Sequence, residues 1–186
     1  GARPRSRIRV LEDTDADGKP DKATIFADQL LNVTSVFPWK GGIFATAAPD
    51  ILYLKDSDGD RKADIREVWY TGFDREVSSE ARITNLRYGL DNWIWAGNSG
   101  RPGTIRSPKF PGKGEVRVRG YDFRFNPSTG DFAPAAGTTQ FGMSFDDWGN
   151  RFVSQNTIHL RHVVLPAQYI LRNPYLPPPS MLQYLS

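Results

Sequence analysis

Two short acidic stretches carry the clearest chemistry in the chain: Asp13-Thr14-Asp15-Ala16-Asp17-Gly18-Lys19-Pro20-Asp21 and Asp56-Ser57-Asp58-Gly59-Asp60-Arg61-Lys62-Ala63-Asp64. Each sets carboxylates at relative positions 1, 3, 5 and 9. Carboxylates crowded in this way repel one another, and a hard divalent cation relieves the repulsion. Calcium is the natural candidate. Positions 1, 3, 5 and 9 of the EF-hand loop also supply ligands, and position 7 adds a backbone carbonyl, here that of Lys19 or Lys62. The match to an EF-hand is partial. Gly18 meets the requirement for glycine at position 6 and Arg61 does not; position 12 is Thr24 in the first copy and Glu67 in the second, where Glu67 is placed to complete the site. The plainer reading is a pair of solvated acidic turns, but recurrence in the same setting favours the metal.

That setting is a strand on either side. Ile8-Arg9-Val10-Leu11 precedes the first stretch and Ala23-Thr24-Ile25-Phe26 follows it; Ile51-Leu52-Tyr53-Leu54 and Val68-Trp69-Tyr70 flank the second. The expectation is two hairpin loops clipped by two calcium ions. A second kind of hairpin alternates with them, turning tightly at Trp39-Lys40-Gly41-Gly42, at Leu90-Asp91-Asn92 and at Asp146-Asp147-Trp148-Gly149-Asn150. Val116 to Phe125 reads as strand, with Asn126-Pro127-Ser128-Thr129-Gly130 turning where a third metal loop would fall. Gly100 to Gly114, rich in Gly, Pro and Lys, reads as an inserted surface loop.

From Asp13 to Asp56 is 43 residues, within the range of a four-stranded propeller blade. The expected fold is therefore all-β, with propeller blades of four antiparallel strands: about three and a half blades of a six-bladed propeller over residues 1–172. An irregular β-sandwich is the bland alternative. Residues 173–186 read as a Pro-rich extension whose Met181, Leu182, Tyr184 and Leu185 would dock on a partner.

Composition agrees with a β-rich chain: of 186 residues, 17 are Gly, 14 Pro and 12% aromatic. Scattered Arg, at a net charge of +3, describes a solvated sheet face and not a nucleic-acid stripe. The absence of Cys rules out disulfides, thiolate metal sites and c-type haem attachment within these residues. No apolar run reaches the ~20 residues of a membrane-spanning helix. Calcium loops of modest affinity fill most readily outside the cytosol, so a periplasmic or extracellular location is expected.

Other candidate chemistry is sparse. His159 and His162 stand three apart, which on a strand points them to opposite faces and makes a joint metal site unfavourable. Asp91, Asn92, Asp146 and Asp147 read as turn residues, and Trp39, Trp93, Trp95 and Trp148 as packing between blades.

Three runs carry a resemblance: Leu86-Arg87-Tyr88-Gly89-Leu90-Asp91-Asn92-Trp93-Ile94-Trp95, Gly120-Tyr121-Asp122-Phe123-Arg124-Phe125-Asn126-Pro127-Ser128-Thr129-Gly130, and Gln140-Phe141-Gly142 with Asp146-Asp147-Trp148-Gly149-Asn150. With the acidic loops and Tyr169-Ile170-Leu171-Arg172-Asn173-Pro174, they resemble the propeller domain of the membrane-bound dehydrogenase family abundant in planctomycetes and verrucomicrobia. That family is similar to the soluble glucose and sorbosone dehydrogenases, six-bladed propellers that use pyrroloquinoline quinone and calcium. The resemblance implies a secreted redox protein. It also implies a base His near the start of the strand equivalent to Ile83 to Tyr88, and a quinone-binding Arg ahead of the strand equivalent to Phe141 to Phe145. Ala81-Arg82 and Thr138-Thr139 stand at those places. Without the base there is no proton abstraction, and without the cation the quinone carboxylates lose an anchor.

The leading expectation is a calcium-binding propeller module, structural in role, docking with other propeller segments or subunits of a larger secreted or periplasmic redox assembly. Any membrane association runs through those partners, and no nucleic acid is involved. The alternative is a pyrroloquinoline-quinone-dependent sugar or alcohol dehydrogenase, with catalysis drawn from His159, Arg82 and blades outside this chain. A carbohydrate-binding propeller is the third.

Overall fold

Alternation of apolar and polar residues, with almost no helical period, builds antiparallel sheets in the computed structural model, which describes residues 5–173, 175 and 180–185. Strands β1 (Ser6–Glu12) and β2 (Lys22–Leu30) pair around the first acidic loop. Next, β3 (Ser35–Trp39), β4 (Gly42–Ala47), β5 (Asp50–Lys55) and β6 (Ile65–Phe73) form a meander, with the second acidic loop between β5 and β6. Strands β7 (Thr84–Tyr88) and β8 (Ile94–Gly97) begin a third sheet.

The chain then returns to the second sheet. Strands β9 (Gly103–Arg106) and β10 (Glu115–Arg117) pair with each other and extend the β6 edge, so the segment 100–114 expected as a surface loop is partly sheet. Two features make this possible. Ile105 is fully buried, and Gly72 on β6, at φ +112°, lets β9 approach so closely that a Cβ there would lie 2.1 Å from the Thr104 carbonyl oxygen. The run expected as one strand from Val116 to Phe125 is also broken. Val118 buries itself and donates its amide to Gly103 O (3.0 Å), Gly120 turns at φ +80°, and β11 (Asp122–Phe125) starts anew in the third sheet. Strand β12 (Phe132–Ala135) pairs with β11 across the expected 126–130 turn.

The fourth sheet orders β13 (Gly142–Phe145), β14 (Arg151–Ser154), β15 (Arg161–Val163) and β16 (Leu182–Tyr184). The segment expected to dock on a partner thus pairs with its own chain at β16, while most of the Pro-rich run, 174 and 176–179, lies outside the described residues. Between β15 and β16 sits α1 (Ala167–Ile170), the one α-helix among the described residues.

Period-2 burial explains the stacking. On β4, Phe44 faces the third sheet and meets Phe125 edge-on at 5.2 Å, while Ala45 faces Phe26 and Leu30 of the first hairpin. Tyr70 adds contacts to Phe123 and Phe125, at 5.4 and 4.8 Å. Strands β3, β7 and β13 are each an edge of their own sheet and lie side by side. Side chains bridge this seam: Thr34 Oγ1 donates to Ile83 O (2.6 Å), Thr84 Oγ1 donates to Thr34 O (3.1 Å), and Leu86 N donates to Ser35 Oγ (3.1 Å). Pro38 and Pro134 fall on edge strands β3 and β12, where a missing N–H is tolerated.

The third and fourth sheets meet at Asp122, whose side chain is fully buried. Its Oδ1 accepts from the amides of Asn98 (3.0 Å) and Thr139 (2.8 Å), and its Oδ2 accepts from Thr139 Oγ1 (2.6 Å) and Arg151 Nη1 (3.2 Å). Removing one member of a buried pair strands the other charge, so Asp122→Ala should destabilise the fold by about 3–5 kcal/mol. In urea unfolding the exposed Phe141→Ala should stay within about 0.5 kcal/mol of the parent, and an equally small effect at Asp122 would contradict this account.

Candidate metal centres

Both acidic loops fold by one plan. At position 1, Asp13 Oδ2 accepts from the Gly18 amide (2.8 Å) and Asp56 Oδ2 from the Arg61 amide (2.9 Å). At position 3, Asp15 and Asp58 each accept from the amide two residues on, at 3.2 Å. At position 5, Asp17 and Asp60 accept from the amides of Lys19 and Lys62, both at 2.8 Å. This ladder of Asx turns wraps the backbone around the side chains.

The backbone matches too. Positions 4 and 6 are left-handed in both loops, Ala16 at φ +62° and Gly18 at +87°, Gly59 at +87° and Arg61 at +69°. Arg61 therefore adopts the conformation that the EF-hand comparison assigns to glycine, at a cost of about 1–2 kcal/mol. It is held there by Glu12, whose Oε1 accepts from Arg61 Nε at 3.0 Å while Lys22 lies 3.2 Å from Oε2. The same bridge links the two loops, and the Ala63 amide adds a bond to Phe26 O (2.7 Å).

The consequence is convergence. One oxygen from each of Asp13, Asp15 and Asp17 lies within 4.8 Å of the others, and Asp56, Asp58 and Asp60 form the same group. Two oxygens bound to one calcium at 2.3–2.6 Å can be no more than about 5 Å apart, so both triads suit a shared ion.

Position 9 does something else. Asp21 accepts from Thr14 N (3.1 Å) and Thr14 Oγ1 (2.6 Å), and Asp64 accepts from Ser57 N (2.8 Å) and Ser57 Oγ. These carboxylates clasp the loop and are not members of the triads. The signal was present in the sequence as the hydroxyl residue at position 2 of both copies. Glu67, placed by spacing to complete the second site, accepts instead from Lys109 Nζ (2.8 Å) and Trp69 Nε1 (2.9 Å).

The remaining candidates lie apart. His159 is exposed beyond the end of β14, and His162 on β15 stacks on Phe152 at 5.0 Å. Arg82 is half-buried behind a short 3₁₀ turn at Ser79–Ala81. Thr138 accepts from Gln155 Nε2 and Arg161 Nη2, and Thr139 serves Asp122, so both positions are occupied structurally. Asp91 and Asp146 cap their turns by accepting from Trp93 N (3.2 Å) and Trp148 N (3.0 Å). Trp39 packs on Tyr88 and Trp95 on Phe145, as expected between sheets, but Trp148 is 84% exposed at its hairpin tip.

The whole of residues 1–186 matches the family model described as Domain of unknown function (DUF7133). The chain belongs to that family. No curated protein and no solved structure gives a significant match. Within this DUF7133 chain, hydrogen bonds dominate the loop electrostatics. The Gly18 amide holds Asp13 below the usual aspartate range, the Gly59 amide does the same for Asp56, and the Thr14 and Ser57 hydroxyls for Asp21 and Asp64.

A carboxylate with a depressed folded pKa contributes stability above its unfolded value, lost as pH falls through the folded one. In a carbon-13 carboxyl titration, Asp13, Asp21, Asp56 and Asp64 should have midpoints below the ordinary aspartate value of about 3.9, and the loops should loosen only in that acid range. Midpoints at or above that value would refute the bonding pattern.

Proposed function

We propose that the chain is a calcium-clipped segment of a β-propeller, a structural and interaction module of a larger redox assembly outside the cytosol. One observation carries the metal: two carboxylate triads of identical backbone plan, each with its oxygens close enough to share one calcium ion. Asp13, Asp15 and Asp17 would hold one ion and Asp56, Asp58 and Asp60 the other. The bound cation neutralises like charges and fixes the hairpin tips. It thereby stabilises the folded state by mass action.

Three adjoining edge strands support the propeller reading. In a propeller the first strand of every blade lines the common axis, and β3, β7 and β13 are the first strands of three consecutive meanders, lying side by side. The two-stranded β1–β2 sheet then stands as part of a blade completed by other residues. The resemblance to the dehydrogenase propellers supports the redox setting, while Ala81 and Thr138, at the places of the base and the quinone-binding cation, favour a scaffold over an enzyme.

Native mass spectrometry of the protein from its source should give the chain plus two calcium ions within a larger complex. Asp15→Asn and Asp58→Asn should each remove one ion, and a chelator should lower the melting temperature of the parent by several degrees. A parent chain that carries no calcium would sink the metal sites, and a bound mass matching pyrroloquinoline quinone would sink the scaffold reading.

A further inference from the structure

The first sheet has an open edge. Among the described residues β1 pairs with β2 alone, so the other side of its seven residues is unpaired backbone. It holds no proline, unlike the edge strands β3 and β12, and it is longer than the three-residue edge strand β10. Its partner β2 is braced on the β6 side, where Phe26 O accepts from the Ala63 amide (2.7 Å) and Asp28 O from Arg66 Nη1 (3.0 Å). That leaves β1 toward β4, with Ile8 and Val10 packed against the cluster of Ala45 and Leu54 yet only half-buried.

The chain supplies its own template for what belongs there. Each acidic loop directly follows a strand, β1 the first and β5 the second, with an offset of 43 residues, so 7–12 correspond to 50–55. At β5 the equivalent edge is covered along all of 50–55 by the antiparallel β4. The uncovered surface continues onto the second sheet. Val36 stands directly opposite Ala45 and so on the same face, where it is half-exposed, and Pro38 two residues on is exposed as well. No described strand is left to fill this place, since β16, the last of them, is committed to β15.

The outer face of β1 gives the chemistry of the occupant. Arg5, Arg7 and Arg9 alternate with Ser6, Ile8 and Val10, so they project together away from the core. All three are exposed, and none has a carboxylate partner among the described residues. Asp28, which shares a surface hollow with Arg5 and Arg7, is paired with Arg66. Opposite charges across a strand pair stabilise it and like charges destabilise it. Pairing β1 with β1 of a second copy would bring these arginines together and is disfavoured on that ground.

We infer that the free edge of β1 receives an antiparallel strand from a partner protein, apolar where it crosses Ile8 and Val10 and carrying carboxylates opposite Arg7 and Arg9. For its partner this rests on the reading of the β1–β2 sheet as a blade completed by other residues; the open edge itself stands on the pairing described above. Calcium is not required for it.

The probe is a blocked nine-residue peptide of alternating valine and glutamate, titrated into the isotope-labelled full chain at constant ionic strength. Saturable shifts of the β1 amides are expected, with Overhauser contacts of antiparallel pairing between the peptide and residues 7–12. Arg7→Glu together with Arg9→Glu should weaken binding about tenfold or more and let the matching valine–lysine peptide bind instead. Equal binding of both peptides to the parent would overturn the proposal, as would contacts confined to another edge such as β10 or β12, or no contacts at all. A parent whose β1 pairs with a second copy would overturn it too. Should the double variant fail to fold, these parent measurements decide. The same spectra report the seam of β3, β7 and β13 that supports the propeller. A missing seam would sink the propeller reading whatever β1 binds, and an intact seam beside a bare β1 would sink the strand site alone.

Discussion

A carboxylate without contact with water is tolerable only if the protein replaces every hydrogen bond that water would have made, and Asp122 meets that condition with groups from three different places. Its partners are the Asn98 amide beyond β8, the amide and hydroxyl of Thr139 ahead of β13, and the Arg151 guanidinium on β14. The third sheet cannot leave the fourth without stranding this charge. The close quarters extend to Gly137, where a Cβ would lie 2.4 Å from Asp122 Oδ2 and 2.8 Å from Arg151 Nη2. The node is specific geometry as much as energy. It also orients Arg151, which is among the residues lining a neighbouring cleft.

The acidic loops solve the opposite problem, exposed charges held close together. Their answer is local: backbone amides point at the carboxylates, and left-handed residues curl the chain so that those amides can reach. Two different placements of glycine give the same curl. The first loop has Gly at position 6 and Ala at 4; the second has Gly at 4 and Arg at 6. What the two share is the spacing of Asp, with a hydroxyl at position 2 for the last Asp to clasp.

The tight hairpins and both acidic loops were legible from sequence because glycine, asparagine and aspartate mark turns by their own backbone chemistry. The triads were legible for the same reason, since relative positions 1, 3 and 5 of an Asx ladder necessarily face inward. Features that depend on distant partners were not. Nothing local in Thr104-Ile105-Arg106 says that it will pair with β6; that depends on the missing side chain of Gly72, more than thirty residues earlier. Glu67 was misplaced because its partner Lys109 arrives on that same returning segment. Arg151 and Asp122 likewise look like ordinary solvated charges in the sequence, and only the packing of two sheets makes them a buried pair.

The fourth sheet has a feature of different consequence. Its first three strands follow one another closely, but β16 reaches β15 only after the excursion from Val163 to Leu182. A short strand closed by a long detour gains few bonds for a large loss of chain freedom. Of the strands in that sheet it is the one most cheaply released, and its release would bare the β15 edge, leaving backbone donors and acceptors open to any extended chain that could lie beside them. The molecule therefore carries its own occupant for an edge that would otherwise be adhesive.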